Sequence, residues 1–368
     1  MPAAAGRRLL GFGRGDGNAG WEDTGPFRFV QLADTQLGML DFIASAQRYR
    51  LHRAILRVLC CFTGREKAMV PVPLLRQPSE RGAGKTLLDV EKDLARRTVR
   101  AINRLCPRPI FAVVCGDLVN SFPDKQPTRH ADEVAEFKQI FSQIHPDIAL
   151  VCVCGNHDVG ERPTAATIEM WKSNFGDDYF CFWVGGVKFV CINSQLYKDP
   201  AGAPELAAEQ EQWLEQELCL SRSEGARRVV VFSHIPPFIH APNEASGYFP
   251  LSHEVRHRLL HKMAINNVSH WFCGHYHRNA GGVYCLPCDE IGKLELSQCN
   301  KGSLEVVTTA AVGGNIGTDA SGDPLGLTGM LDISAEPFLS GVRVVDVSEA
   351  ALVHRFVSLE ELESNLSD

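Results

Sequence analysis

The sequence predicts an α/β protein with buried strands. Short apolar runs rich in strand-forming residues recur along the chain, and helix-like stretches separate several of them. Residues bearing oxygen and nitrogen donors recur directly after those runs, at the strand ends where open α/β sheets bind ligands.

The first strand is expected at Phe27-Arg-Phe-Val-Gln-Leu-Ala33, ending at Asp34. Ile110 to Cys115 repeats the pattern and ends at Gly116-Asp117. Ile148 to Cys154 ends at Gly155-Asn156-His157-Asp158, and Val187 to Ile192 is a fourth run. Arg228 to Ser233 ends at His234, and His270 to Cys273 ends at Gly274-His275-Tyr276-His277. Helices are expected over Leu87–Leu105, Glu205–Ser221 and Ser252–Asn266. Two regions break the rhythm, near 39–86 and 285–341. They read as insertions in one domain spanning 26–360, behind a disordered tail of residues 1–25. Arg48, Arg50, Arg53 and Arg57 in the first region read as a surface insertion rather than a membrane-binding face.

A chain of 368 residues with 45 % hydrophobic and 22 % charged residues is an ordinary soluble composition. Its formal charge of −7 offers no basic surplus for nucleic acid or an anionic lipid surface. No run of apolar residues is long enough for a transmembrane span. The 13 cysteines are odd in number, and Cys115, Cys152, Cys154 and Cys191 sit inside apolar runs. They read as buried thiols of a reducing compartment rather than as a disulfide framework. Cys285, Cys288 and Cys299 lack an evident fourth partner for a small zinc site.

The candidate site residues are Asp34, Gln36, Asp117, Asn156, His157, His234, His275 and His277. Carboxylate, amide and imidazole donors without thiolate suit manganese, iron or zinc. Each fragment alone has a plain structural reading, such as a turn for Gly116-Asp117 or an Asx turn at Asn156. Their ordered combination points to a metal site. Hydrolysis of a phosphate ester needs a nucleophile at neutral pH and neutralisation of phosphoryl charge, and two divalent cations supply both. Asp117 is the candidate bridge between them, and His157, beside Asn156, is the candidate general acid for the leaving alcohol.

The series Asp34-x-Gln36, Gly116-Asp117, Gly155-Asn156-His157-Asp158, His234 and Gly274-His275-x-His277 resembles the calcineurin-like metallophosphoesterases. The resemblance implies a four-layer αββα sandwich with two mixed β-sheets face to face. It implies Asp34, Asp117 and His277 on a first metal, and Asp117, Asn156, His234 and His275 on a second. It implies His157 as proton donor in an attack by metal-bound hydroxide. Phe175-Gly-Asp-Asp-Tyr-Phe180, Phe182 to Val187 and His354 to Leu362 narrow it to a subfamily. That subfamily is regarded as cytoplasmic serine/threonine protein phosphatases acting on a phosphoprotein, protein kinase B. The match departs at Gln36, where most of the superfamily has His, which implies weaker ligation there. It departs again at Asn120-Ser121, where the major protein phosphatases continue with Asp-Arg-Gly. Two other readings share the motifs: a phosphodiesterase for a small or nucleotide substrate, and a catalytically weak scaffold. The presence of His157 favours an enzyme over the scaffold.

Overall fold

The computed structural model describes residues 25–39, 87–286, 302–316, 333–334 and 340–364. The expected tail, almost all of the region near 39–86, and Cys288 and Cys299 lie outside the described residues.

Five strands form the first sheet: β1 (Phe27–Leu32), β2 (Phe111–Cys115), β3 (Ala149–Val153), β12 (Gly341–Val347) and β13 (Leu352–Ser358). Their order is β13-β12-β1-β2-β3, with β1, β2 and β3 parallel and β12 antiparallel to β1. Six strands form the second: β4 (Phe180–Val184), β5 (Val187–Cys191), β6 (Arg228–Phe232), β7 (Val268–Cys273), β8 (Ala280–Cys285) and β9 (Ser303–Thr308). Here β5, β6, β7 and β9 run parallel, and β4 and β8 are antiparallel edges. Two residues each at Asn315–Ile316 (β10) and Ile333–Ser334 (β11) make a small separate ribbon. Both sheets are mixed, as expected.

Side-chain alternation decides what each face covers. On β1, Phe27 and Phe29 point into a core shared with Phe182, Phe189, Phe232 and Phe272 of the second sheet. Val30 and Leu32 point the other way, into a core with Leu94, Ile102 and Phe137. Those residues lie on α1 (Leu87–Arg104) and α2 (Pro127–Phe141). The outer face of the second sheet packs on α6 (Pro204–Ser223) and α7 (His253–Ile265), through Leu214, Leu218, Leu259 and Met263. Helix, sheet, sheet, helix is the four-layer αββα sandwich. Between the sheets, Phe29 stacks on Phe111 at 4.7 Å and meets Phe232 edge-on at 5.8 Å. Truncating one such buried ring costs about 3–5 kcal/mol.

Shorter helices complete the description: α3 (Asn156–Val159), α4 (Ala165–Phe175), α5 (Gln195–Lys198) and α8 (Leu359–Ser364). Among the described residues no helix is long and apolar enough to cross a membrane.

Candidate metal centre

Parallel strands deliver their following loops to one edge of a sheet. Asp34 and Gln36 follow β1, Asp117 follows β2 and Asn156 opens α3 after β3. From the facing sheet, His234 follows β6, and His275 and His277 follow β7. All seven are buried, and His157 is half-buried.

The loops carrying them are conformationally unusual. Asp34, Gln36, Asp117, His275 and His277 all have positive φ, between 36° and 69°. Only Asn267 shares this among the other described non-glycine residues. Such strain persists where surrounding structure over-determines it and clusters at functional sites. Here backbone bonds hold the loops together. Asp34 N–H donates to Gly116 O, and Gln36 N–H to Asp117 O, each at 3.0 Å. The Asp34 carboxylate accepts His275 N–H, 241 residues away, at 3.0 Å. Gly155 and Gly274 leave the room this packing needs. A Cβ on Gly155 would lie 2.2 Å from Asp117 Oδ1, and one on Gly274 2.7 Å from Asp34 Oδ2.

The side chains fall into two touching groups. His277 Nε2 lies 3.5 Å from Asp34 Oδ1. His234 Nε2 lies 3.2 Å from Asp117 Oδ2, 3.1 Å from Asn156 Oδ1 and 3.1 Å from His275 Nδ1. Asp117, His234 and His275 can present one ligand atom each within 4.8 Å of one another. Among the described residues, Gln36 Oε1 is buried with no hydrogen-bond partner, as is His275 Nε2.

Ring-proton placement shows that these residues fit a cation. His234 Nδ1 donates to the Cys115 carbonyl at 2.8 Å, and His277 Nδ1 to the Gly314 carbonyl at 2.7 Å. Each neutral ring then turns an Nε2 lone pair toward a carboxylate, an arrangement that needs a cation between them. Without a metal, a proton fills the gap at His234. Burial alone would lower that imidazole, but the Asp117 carboxylate beside it pushes it up to about 9. Burial would raise Asp117, yet His234 and then His157 hold it below the usual carboxylate range. Burial pushes Asp34 well above that range. Burial pushes His277 down to about 4 and His275 well below its usual value.

His157 sits at the rim. Its Nδ1 donates to the main-chain carbonyl of Asn120, and its ring stacks on Phe122 at 4.4 Å. Its Nε2 therefore faces the cluster, 4.0 Å from Asp117 Oδ2.

Three supporting residues carry no role in the sequence reading. Asp158 accepts Leu118 N–H at 3.0 Å and Gly155 N–H at 2.7 Å, tying the Asp117 and Asn156 loops. Burial, with Asp117 nearby, pushes its carboxyl up to about 8. Its place at the end of Gly155-Asn156-His157-Asp158 is a usable signal. Glu161 and Tyr248, hydrogen-bonded behind Asn156, belong to no motif.

A second group, His270, Glu305 and His354, also lies within ligand reach. Arg343 donates to His354 Nδ1 at 3.1 Å, so the neutral ring keeps its proton on Nε2, facing Glu305 Oε1 at 3.3 Å. That proton and the guanidinium oppose a cation, and the group serves as a polar tie between β9 of one sheet and β12 and β13 of the other.

The chain is similar to known proteins in sequence and in fold. A family model described as calcineurin-like phosphoesterase matches residues 27–279. Serine/threonine-protein phosphatase CPPED1 of Danio rerio is 35 % identical over 341 residues, covering 93 % of this chain and 87 % of that protein. The Homo sapiens protein of the same name is 38 % identical over 270 residues, 73 % of this chain and 74 % of that one. The purple acid phosphatase PPD1 from yellow lupin (Lupinus luteus) seeds shares the fold with a TM-score of 0.50 at 12 % identity. That likeness covers 92 % of this chain and 52 % of the lupin protein.

Proposed function

Because this chain belongs to the calcineurin-like phosphoesterase family and is a metal-dependent phosphoester hydrolase, we propose that it is a serine/threonine protein phosphatase working with two divalent ions. The observation that carries the reading is the convergence of buried, positive-φ oxygen and nitrogen donors from both sheets on one cluster. Asp34, Gln36 and His277 would hold one ion, and Asn156, His234 and His275 the other, with Asp117 shared. Two such ions, when bound, bring the pKa of water near neutrality and offset phosphoryl charge. Manganese, iron or zinc suits the donor set.

His157 is the proton donor to the leaving alcohol in this reading. The Asn120 carbonyl fixes its Nδ1–H, so the proton it delivers is on Nε2, the atom facing the cluster. Phe122 holds the ring plane by stacking. The substrate is a phosphoserine or phosphothreonine protein of the cytoplasm, with protein kinase B the one implied by resemblance. The names of the relatives support the serine/threonine class.

The test is hydrolysis of an aryl phosphate and of phosphoserine, phosphothreonine and phosphotyrosine peptides with manganese. Wild type is expected to cleave the aryl phosphate and the first two peptides only with metal. Asp117→Asn should lose activity, and His157→Ala should lose about 10²–10⁴-fold in kcat. Unchanged kcat in His157→Ala would remove the proton-donor role. Aryl phosphate cleavage without peptide cleavage would remove the protein phosphatase assignment.

A further inference from the structure

Asn156 can ligate a metal only through its carboxamide oxygen, because the NH2 group has no lone pair to give. Its orientation is set from behind. Asn156 Nδ2 donates to Glu161 Oε1 at 3.0 Å, and the same oxygen accepts the Tyr248 hydroxyl at 3.0 Å. A carboxylate only accepts, so the amide atom facing it is the NH2 and Oδ1 is turned inward, 3.1 Å from His234 Nε2.

Tyr248 is itself anchored. Lys198, at the end of α5, donates to the carbonyls of Gly247 at 2.9 Å, Tyr248 at 2.8 Å and Pro250 at 2.7 Å. The clamped segment flanks another member of the cluster. The Tyr248 and Phe249 rings lie 5.2 and 5.5 Å from the His275 imidazole. The segment is thus connected to Asn156 through one carboxylate oxygen and touches His275 directly.

We propose that Glu161 and Tyr248 are positioning residues of the metal centre, locking the Asn156 amide with its oxygen toward the ion. This rests on the reading of Asn156 as a ligand. Neither residue touches the reacting groups in this proposal. They act through Asn156, and their loss frees the amide to rotate.

The test is manganese titration of the metal-stripped full chain, following free Mn(II) by electron paramagnetic resonance. Thermal unfolding of each metal-free variant is measured alongside. Glu161→Ala should weaken one of two manganese sites about 10- to 100-fold, the usual effect of losing an outer-shell partner. Tyr248→Phe should weaken the same site by about threefold to tenfold. Glu161→Gln keeps an acceptor oxygen and should stay within about threefold of wild type. Metal-free melting temperatures should be unchanged. Wild-type affinity in both Glu161→Ala and Tyr248→Phe would overturn the proposal. So would a Glu161→Gln defect as large as that of Glu161→Ala, which would assign the effect to charge alone. Asn156→Ala separates the two levels. If it loses a manganese site while Glu161→Ala and Tyr248→Phe do not, only the positioning role fails. If it loses none, the ligand reading fails and the positioning role with it.

Discussion

Asn120 stands where, by the resemblance, the major protein phosphatases carry an aspartate, and its amide side chain does not hold His157. The Asn120 Oδ1 atom is buried without a partner among the described residues, while its main-chain carbonyl holds His157 Nδ1. Orientation by a backbone atom is indifferent to the side chain. Asn120→Ala is therefore expected to keep kcat within about threefold of wild type, a barrier change under 1 kcal/mol. The same assay on His157→Ala supplies the contrast. A fall in Asn120→Ala as deep as that of His157→Ala would show that the side chain matters. The sequence identifies the missing carboxylate at position 120 but not the substitute, because every residue carries a carbonyl.

At the scale of elements, the six apolar runs read from the sequence match β1, β2, β3, β5, β6 and β7 to within two residues at either end. Those strands are buried on both faces, so their composition is unambiguous. The same reading passes over β4 and β9, and over β8, β12 and β13. Strand β8 is Ala-Gly-Gly-Val-Tyr-Cys and half-exposed, β12 carries the buried Arg343, and β13 alternates in exposure along an open edge. The loops that bear the candidate ligands depend on glycine in a way the strands do not. Gly155→Ala would place a Cβ 2.2 Å from Asp117 Oδ1 and 2.3 Å from Asp117 N, both atoms being fixed. This variant is expected to lose roughly 1–3 kcal/mol of stability, the usual cost of overpacking. Its manganese affinity should fall as well. Denaturant midpoints and a metal titration measure the two effects, and a wild-type value in both would refute the crowding argument.

At the scale of the whole molecule, the sheets meet through an apolar core and through polar ties at the edges. Glu305 on β9 accepts from His354 on β13 and lies 3.4 Å from His270 Nε2 on β7, with Arg343 of β12 bonded to the far side of His354. Hydrogen bonds from His270 and His354 hold the Glu305 carboxyl well below the usual carboxylate range. A carboxyl whose folded pKa is depressed contributes stability above its unfolded value, about 4.3, and loses it as pH falls toward the folded one. The melting temperature of wild type should therefore exceed that of Glu305→Gln near neutrality, with the gap shrinking as pH falls below about 4.3 toward the folded value. Solvent screens a carboxyl that is 43 % exposed, so the gap should be small and should fall with added salt. A gap that widens as pH falls below about 4.3 would refute the tie.

The donors this protein carries, their order, and their positions just past buried strands are legible in the chain alone. That followed because apolar composition marks a strand covered on both faces and because motifs are local. That Asp34 meets His275, and His234 meets Asp117 and Asn156, follows from the folded arrangement of the two sheets. Those meetings require two sheets to face each other with their strand ends at a common edge. The left-handed backbone at five candidate ligands and the Glu161–Tyr248 support behind Asn156 were also decided there. Each depends on loops far apart in sequence being pressed together, and strain, burial and orientation arise from that packing rather than from any one segment.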